Sequence, residues 1–537
     1  GANPPAVQAE DGTLFVTQGA LSAPLTPPSN RRLVRAQFPP PGETRSLPVV
    51  DPAASASDGV ALLRSLYARG LAAGNHGDLY ENRDRGHSKL RAGLFPQLTY
   101  VAYGTAMQAG RQDYGVSGPL IFDAPLIGNS STAHTAGPFW RSQGRFLQTQ
   151  PLDVFRHYQN YLEAQHHISP AHRHQDAKIG EHFPATTPYF IISQGSSGSD
   201  RPHLRKLAMI LAAFQPETKQ RLKETGLLAP TVQMIFRKSL RHVRSRESYL
   251  NGVAHPSVFP KAALDPGRAV ALANAITPET IPPMVELRVM SETRSQPGID
   301  HFGPNVREAL FATPAAIARG WRSRQGRREM VVSAARTRDP NGRPLTFDWV
   351  LLRGDPEKVR IEPDDLGHAA RITIDWQEPQ PLPSVSQVST AATGRDDPAQ
   401  HSSRVDIGVF ASNGVHDSAP SFISVLLPSH EQRLYERDRS KTSLAEEDGD
   451  AAAMRIIELD RRVAEGGYAD PRIFPRMEWR DLYQYGPKGE LTGWIREDTI
   501  GRRAFDAEGH GPNGRPNYAL ITGPGGVSEL KDRSQNQ

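Results

Sequence analysis

The chain has 537 residues, with 63 Lys and Arg against 58 Asp and Glu, 46 Gly, 46 Pro and no Cys. Zero Cys excludes disulfides, thiol catalysis, Fe–S clusters and thiolate zinc sites, and no run approaches the ~20 apolar residues of a membrane-spanning helix. A net charge of +5 over this length is too dilute for a nucleic-acid-binding signature.

The length predicts three or four domains of roughly 150 residues each. The chain begins at Gly1, as it would after removal of a signal peptide or a tag. Together with the missing Cys, this leads us to expect an extracytoplasmic protein in the periplasm, at the cell surface or secreted.

Residues 1–57 carry Pro runs at 4–5, 27–28 and 39–41 and read as a Pro-rich extended arm. Residues 58–328 read as a large mixed α/β main domain, with no regular βαβ repeat in the pattern. Val60, Leu63, Leu66, Tyr67 and Leu71 fit one helical face, and Val154, Phe155, Tyr158 and Leu162 fit another. The clearest unit is Tyr189–Phe214. There a short buried-type strand (189–193) enters a Gly/Ser loop. A helix follows, with Leu204, Leu207, Ile210, Leu211 and Phe214 on one side, Asp200 as N-cap and Pro202 in its first turn. RAVALANAI (268–276) reads as a helix and MVELRVM (284–290) as a strand.

Residues 329–428 change period. Leu345, Phe347, Trp349 and Leu351 alternate with polar neighbours, as do Ile372, Ile374 and Trp376, and Val405, Ile407 and Val409. Turns at 339–342, 353–355 and 412–414 separate them, which is the pattern of a β-sandwich. The segments DPNGRPLTFDWVLLRG (339–354), ARITIDW (370–376), VDIGVFASNGVHDSAP (405–420) and FISVLL (422–427) resemble a PKD-type or cadherin-like immunoglobulin-fold domain. The resemblance covers about a fifth of the chain. It implies an immunoglobulin-like sandwich, a surface location and a glycan- or protein-binding role, and says nothing of catalysis. The segment 377–403 departs from that family as a long polar loop. Residues 429–537 read as a charged helix around Met454 and Ile457 followed by a hairpin-rich region. WRDLYQYGPKGELTGWIRED (479–498) resembles one tyrosine–aspartate hairpin of RHS-like repeats, turned at Pro487–Gly489. The fold class expected is therefore multidomain α+β.

Four loops offer chemistry. In Ser193–Asp200, a strand feeding a Gly/Ser loop that opens a helix aims N–H groups at one point. Ser197 is the candidate nucleophile there, with Asp200 beside it and Ser196 as a substrate contact; the bland reading is a capped connection. In 128–142, Asn129, His134, Trp140 and Arg141 offer an amide, an acid/base, a stacking face and an anion clamp suited to a sugar or carboxylated polymer; the alternative is an aromatic-anchored loop. In 76–90, Asp78, Glu81, Asp84 and His87 recur at helical spacing, either for acid–base work or as local ion pairs with Arg83 and Arg85. In 165–176, His166, His167, His172 and His174 cluster. His172, His174 and Asp176 form the candidate half-site for zinc or another divalent metal, against a solvated loop. In the sandwich, Asp339, Asn341, Asp375 and Asp417 are candidate Ca²⁺ ligands or simple turn residues. The basic stretch Arg237–Arg246 reads as a solvated helix face or an anionic-polymer contact.

Two functions follow. One is an extracytoplasmic hydrolase or lyase acting on a polymer such as a polysaccharide or polyester, with Ser197, Asp200 and His134 as catalytic residues. The other is a non-catalytic surface, adhesion or assembly protein whose partner is a glycan or another surface protein.

Overall fold

In the computed structural model, the described residues are 7–8, 11–23, 33–38, 48–51, 59–84, 86–91, 93–110, 112–113, 120–129, 151–171, 185–194, 198–295, 308–321, 325–377, 380–381, 401–402, 404–427, 507–514 and the C-terminal strands named below. The chain is a mixed α/β protein with several sheets, compatible with a multidomain α+β class.

The first unit contains β1 (Val7–Gln8), β2 (Leu14–Val16), β3 (Val34–Ala36), α1 (Val60–Ala68), β4 (Leu79–Asn82), β5 (Thr99–Tyr103), α2 (Thr105–Ala109), β6 (Leu120–Phe122), β7 (Leu126–Asn129), α3 (Pro151–Leu162), β8 (Gln165–Ala171) and β9 (Phe190–Gln194). After these come α4 (Asp200–Ala213), α5 (Pro216–Thr225), α6 (Leu228–Lys238), α7 (Arg246–Tyr249) and α8 (Pro266–Ala275). Seven strands form one sheet in the order β1-β2-β5-β4-β7-β8-β9. All of its pairs are parallel except β1 with β2. The Pro-rich segment is therefore more than an extended arm, because Leu14 and Val16 are buried in the sheet and β3 pairs with β6.

Parallel strands buried on both faces need apolar or mutually satisfied side chains. One face meets α1, α4, α6 and α8 through Tyr80, Ile127, Ile168, Ile191, Leu204, Leu207, Ile210 and Leu211. The other meets α3 through Val154, Tyr158, Tyr161, Phe190 and Ile192. In α1, Val60, Leu63 and Leu66 are buried as the spacing requires. Leu71 and Phe155, placed on apolar faces by periodicity, are exposed instead.

The second unit is a sandwich of two sheets. One is β10 (Arg288–Glu292), β13 (Arg327–Ser333), β16 (Ala369–Asp375) and β15 (Val359–Pro363), in that order. The other is β11 (Ala309–Thr313), β12 (Ala316–Gly320), β20 (Ser421–Leu426), β19 (Arg404–Ser412) and β14 (Thr346–Arg353). The strand expected at 284–290 belongs here, since Arg288–Glu292 pairs with β13, so the sandwich starts well before residue 329. β12 runs parallel to β20. Trp321, Ile372, Ile374, Trp376, Ile407 and Ile423 fill the space between the sheets, and the Trp321 and Trp376 rings meet edge to face at 5.7 Å. Of the long polar loop, the described residues form the short pair β17 (Gln380–Pro381) and β18 (His401–Ser402).

The C-terminal region holds β21 (Arg433–Arg437), β22 (Met454–Glu458), β23 (Arg462–Ala464), β24 (Gly467–Phe474), β25 (Trp479–Tyr485), β26 (Leu491–Asp498), β27 (Gly501–Asp506), β28 (Tyr518–Thr522) and β29 (Ser528–Asp532). The segment around Met454 and Ile457 is a strand paired with β21 and not a helix. A short charged segment has little helix stability of its own, and ladder pairing decides its state. β25 and β26 pair as the expected hairpin, with Tyr483 opposite Trp494.

Candidate active site at the carboxyl edge of the parallel sheet

The strands β4, β7, β8 and β9 are consecutive neighbours running in one direction. The four segments singled out from sequence include the carboxyl ends of these four strands, which lie along one edge of the sheet. Open α/β sheets bind ligands at that edge.

The loop after β4 and the loop after β9 meet there, over the ends of β7 and β8. The Gly198 N–H donates to Ser88 Oγ, and Arg201 Nε donates to Lys89 O at 3.2 Å. Ser88 holds φ 53, a left-handed conformation uncommon for a residue with a Cβ, and its side chain is buried. Asn82 and Asn129 both donate to His87 O at 2.9 Å and so fix the same turn. Tyr80 OH donates to Asn129 Oδ1 at 2.6 Å and accepts the Leu90 N–H at 2.8 Å. Burial pushes the Tyr80 phenol well above its usual range, so it stays a neutral donor.

Asp200 sits beneath this turn. Sequence makes it an N-cap. In the structure it is the first residue of α4, Ser199 holds the cap position, and no side chain caps the helix. The Asp200 carboxylate turns inward instead. Ser193 Oγ donates to its Oδ1 at 2.8 Å, and Ser199 Oγ lies 2.8 Å from Ser193 Oγ. Oδ2 is buried with no hydrogen-bond partner among the described residues, and Asp200 is 0% exposed. Burial raises its pKa to about 7. The Ser193 hydrogen bond works against that rise, the Asp84 charge adds to it and Arg201 subtracts. A carboxyl group that titrates near neutrality and keeps one oxygen free is a poised proton donor and acceptor.

A second charged cluster lies under the same edge on the opposite face. Arg83 Nε pairs with Glu81 Oε1 at 2.7 Å, His167 Nε2 lies 2.6 Å from the same oxygen, and Tyr103 OH donates to Oε2. A carboxylate only accepts, so His167 donates from Nε2. Burial pushes Glu81 up, but Arg83, His167 and Tyr103 outweigh it and hold Glu81 down at about 2. This cluster is satisfied internally and serves the frame of the site.

The remaining expectations resolve as follows. Asp78, Glu81 and Asp84 share no helical face, because Leu79–Asn82 is a strand; Asp78 pairs with Lys219 at 2.7 Å and Glu81 with Arg83. Asn129 is brought to the edge, as is Asp200. Ser196, Ser197, His134, Trp140, Arg141, His172, His174 and Asp176 lie outside the described residues, and among those described no group of three metal-ligating side chains occurs. The sandwich carboxylates are otherwise engaged. Asp339 accepts the N–H groups of Asn341 and Arg343, Asp375 pairs with Arg327, and Asp417 pairs with Arg246. The basic stretch is solvated at Arg241, Arg244 and Arg246, but its first residue is not. Arg237 is buried between the rings of Phe259 and Phe422, with Gln233 accepting from its Nε. Ser193 and Ser88 lie within the segments 193–200 and 76–90 singled out from sequence, which gave them no role. Both are polar residues at strand-end or turn positions, where turn chemistry alone explains them.

No family model and no curated protein matches this chain. Among solved structures it is similar to a nucleoside hydrolase-related hypothetical protein from Saccharophagus degradans associated with carbohydrate metabolism. The identity is 9% and the TM-score 0.20, over 66% of this chain and 100% of that one. It is also similar to the N-terminal Ig1-2 module of the Drosophila receptor protein tyrosine phosphatase DLAR, at 10% identity and TM-score 0.13, over 41% and 94%. Tandem Ig repeats of Dlar give 8% and 0.12, over 42% and 94%. At these TM-scores the likenesses carry no argument about this chain's fold or activity.

Proposed function

We propose that the chain is a hydrolase acting on a polysaccharide, with Asp200 as its acid–base group. The observation that carries this reading is the buried Asp200 Oδ2, left without a partner at the carboxyl edge of a parallel sheet. Near neutrality the protonated Asp200 delivers its proton to the leaving oxygen as the bond to the attacked carbon breaks. A water adds to that carbon and gives its proton to a carboxylate, for which Asp84 on the facing loop is the candidate. Ser193 holds Oδ1 and thereby aims Oδ2. Ser199 offers a hydroxyl beside it, and Asn82 and Asn129 hold the His87 turn that faces the carboxylate. An extracytoplasmic location belongs to the same proposal and is supported by the absence of Cys.

The test is turnover of a panel of polysaccharides and polyesters by the full chain and by Asp200→Asn. Hydrolysis that falls by at least roughly a hundredfold in the variant, the usual worth of a general acid, supports the reading. Full activity in the variant removes Asp200 from the role. Binding of a glycan or surface protein with no turnover of any substrate assigns the chain to the non-catalytic class.

A further inference from the structure

Resting on that hydrolase reading, we propose that the substrate is a polyanionic glycan, held by a basic rim that Lys89, Arg91, Arg201 and Arg205 form around the Asp200 site. At the left-handed Ser88 the chain turns so that Ser88 and Leu90 are buried while His87, Lys89 and Arg91 face solvent. Arg201 and Arg205 lie one turn apart on α4 and share its outer side. The Arg201 Nε–Lys89 O and Gly198 N–Ser88 Oγ hydrogen bonds lock the two cationic segments together, and the Arg201 charge is felt at Asp200.

The rim gathers four cations on two segments that touch each other. Some exposed arginines elsewhere are neutralised, Arg35 by Asp123 and Glu163, Arg246 by Asp348 and Asp417, and Arg327 by Asp375, whereas exposed cations such as Arg69 and Arg288 stand apart from the Asp200 site. Lys89, Arg91, Arg201 and Arg205 have no carboxylate within ion-pair distance among the described residues. A set of cations free of carboxylate partners and fixed beside one site concentrates an anionic ligand there. Inside the rim, Asp84 and Asp200 disfavour an anion at the reacting centre itself. The matching ligand is therefore a chain whose charges flank a neutral scissile linkage. A nucleic acid fits less well, because base stacking needs exposed aromatic faces, and the exposed large apolar side chains among the described residues include one aromatic, Phe155 on α3.

The test is binding of the full chain, by calorimetry, to polygalacturonate, sulfated dextran, neutral dextran and duplex DNA. Both polyanionic glycans are expected to bind more tightly than neutral dextran, with affinity falling as salt rises, and their ranking separates carboxylate from sulfate recognition. The triple variant Lys89→Ala, Arg91→Ala, Arg201→Ala is expected to lose roughly tenfold in that affinity. Single Lys89→Gln and Arg91→Gln variants give smaller losses should the triple fail to fold. Neutral dextran bound as tightly as polygalacturonate, salt-independent binding, an unchanged triple variant, or DNA bound more tightly than either glycan would each overturn the proposal. Asp200→Asn keeps the rim, so its binding is expected to persist when hydrolysis is lost. Loss of the rim effect with an inactive Asp200→Asn sinks only the substrate class, while an active Asp200→Asn sinks the hydrolase reading and leaves the rim standing.

Discussion

His167 Nε2 reaches Glu81 Oε1 at 2.6 Å across an intervening strand, and it can do so because the residue between them is Gly128. Glu81, Gly128 and His167 lie side by side on β4, β7 and β8. A Cβ on Gly128 would fall 2.8 Å from His167 Cδ2 and 3.0 Å from both Glu81 Cγ and Glu81 O. The small residue opens a trough in the sheet face through which the buried charges meet.

Gly128→Ala is therefore expected to destabilise the fold by about 1–3 kcal/mol, the usual cost of overpacking. Part of the clash is with backbone, so side-chain rotation alone cannot relieve it. Denaturant unfolding measures this; a variant as stable as the parent would refute the trough.

Asp200 sets a slope in the opposite sense from an ordinary carboxylate. Its folded pKa of about 7 lies above the ordinary aspartate value of 3.8, so the folded state keeps the proton longer. Stability contributed by this group is full below about pH 4 and falls as pH rises toward 7. Asp200→Asn is expected to raise stability above pH 7 by a few kcal/mol while removing activity, the trade expected at a functional group. Unfolding midpoints of both proteins at pH 5 and pH 8 check it: the gap should widen at pH 8.

His157 works at the acid end. It is buried beside Phe190, its Nε2 has no partner among the described residues, and burial, with the His167, Arg156 and Arg83 charges, lowers it to about 3. The unfolded imidazole takes up a proton near pH 6.5 and the folded one does not, so stability is lost as pH falls from 6.5 toward 3. His157→Phe is expected to recover about 2 kcal/mol at pH 5 relative to the parent's loss from pH 7. An unchanged pH profile would show that His157 is not buried neutral.

The α/β unit and the sandwich are held by a buried polar network. Arg404 pairs with Asp406 at 2.9 Å and donates to Thr186 Oγ1 at 2.8 Å, and Thr186 also donates to Asp406 Oδ2 at 3.1 Å. Leu352, Phe410 and Phe422 of the sandwich belong to the same apolar core as α4 and α6. Asp406→Ala leaves a buried arginine short of its counter-charge and is expected to cost about 3–5 kcal/mol. Calorimetry should show the two units of the parent melting together. Two separate transitions would mean the sandwich is a detachable module.

The sequence by itself determined the periodic elements. The strand–loop–helix unit at 189–214, α1, α8 and the alternating strands of the sandwich were all legible, because each carries its apolar spacing locally. It also marked the loops after β4, β7, β8 and β9 as chemically rich. It did not reveal the parallel sheet: strands of three to five residues between Pro- and Gly-rich turns have no periodic signal long enough to read. Nor did it show that Arg288–Glu292 pairs with a strand some forty residues later, or that Met454–Glu458 is a strand, since pairing partners lie far away in the chain. Tertiary structure alone decided which polar residues are satisfied. Spacing makes Glu81 and Asp84 equivalent acids and makes Asp200 a helix cap. Packing gives Glu81 three partners and leaves one oxygen of Asp200 buried with none. The physical reason is that desolvation and hydrogen bonding depend on what surrounds a group in three dimensions, and its neighbours in sequence do not specify that.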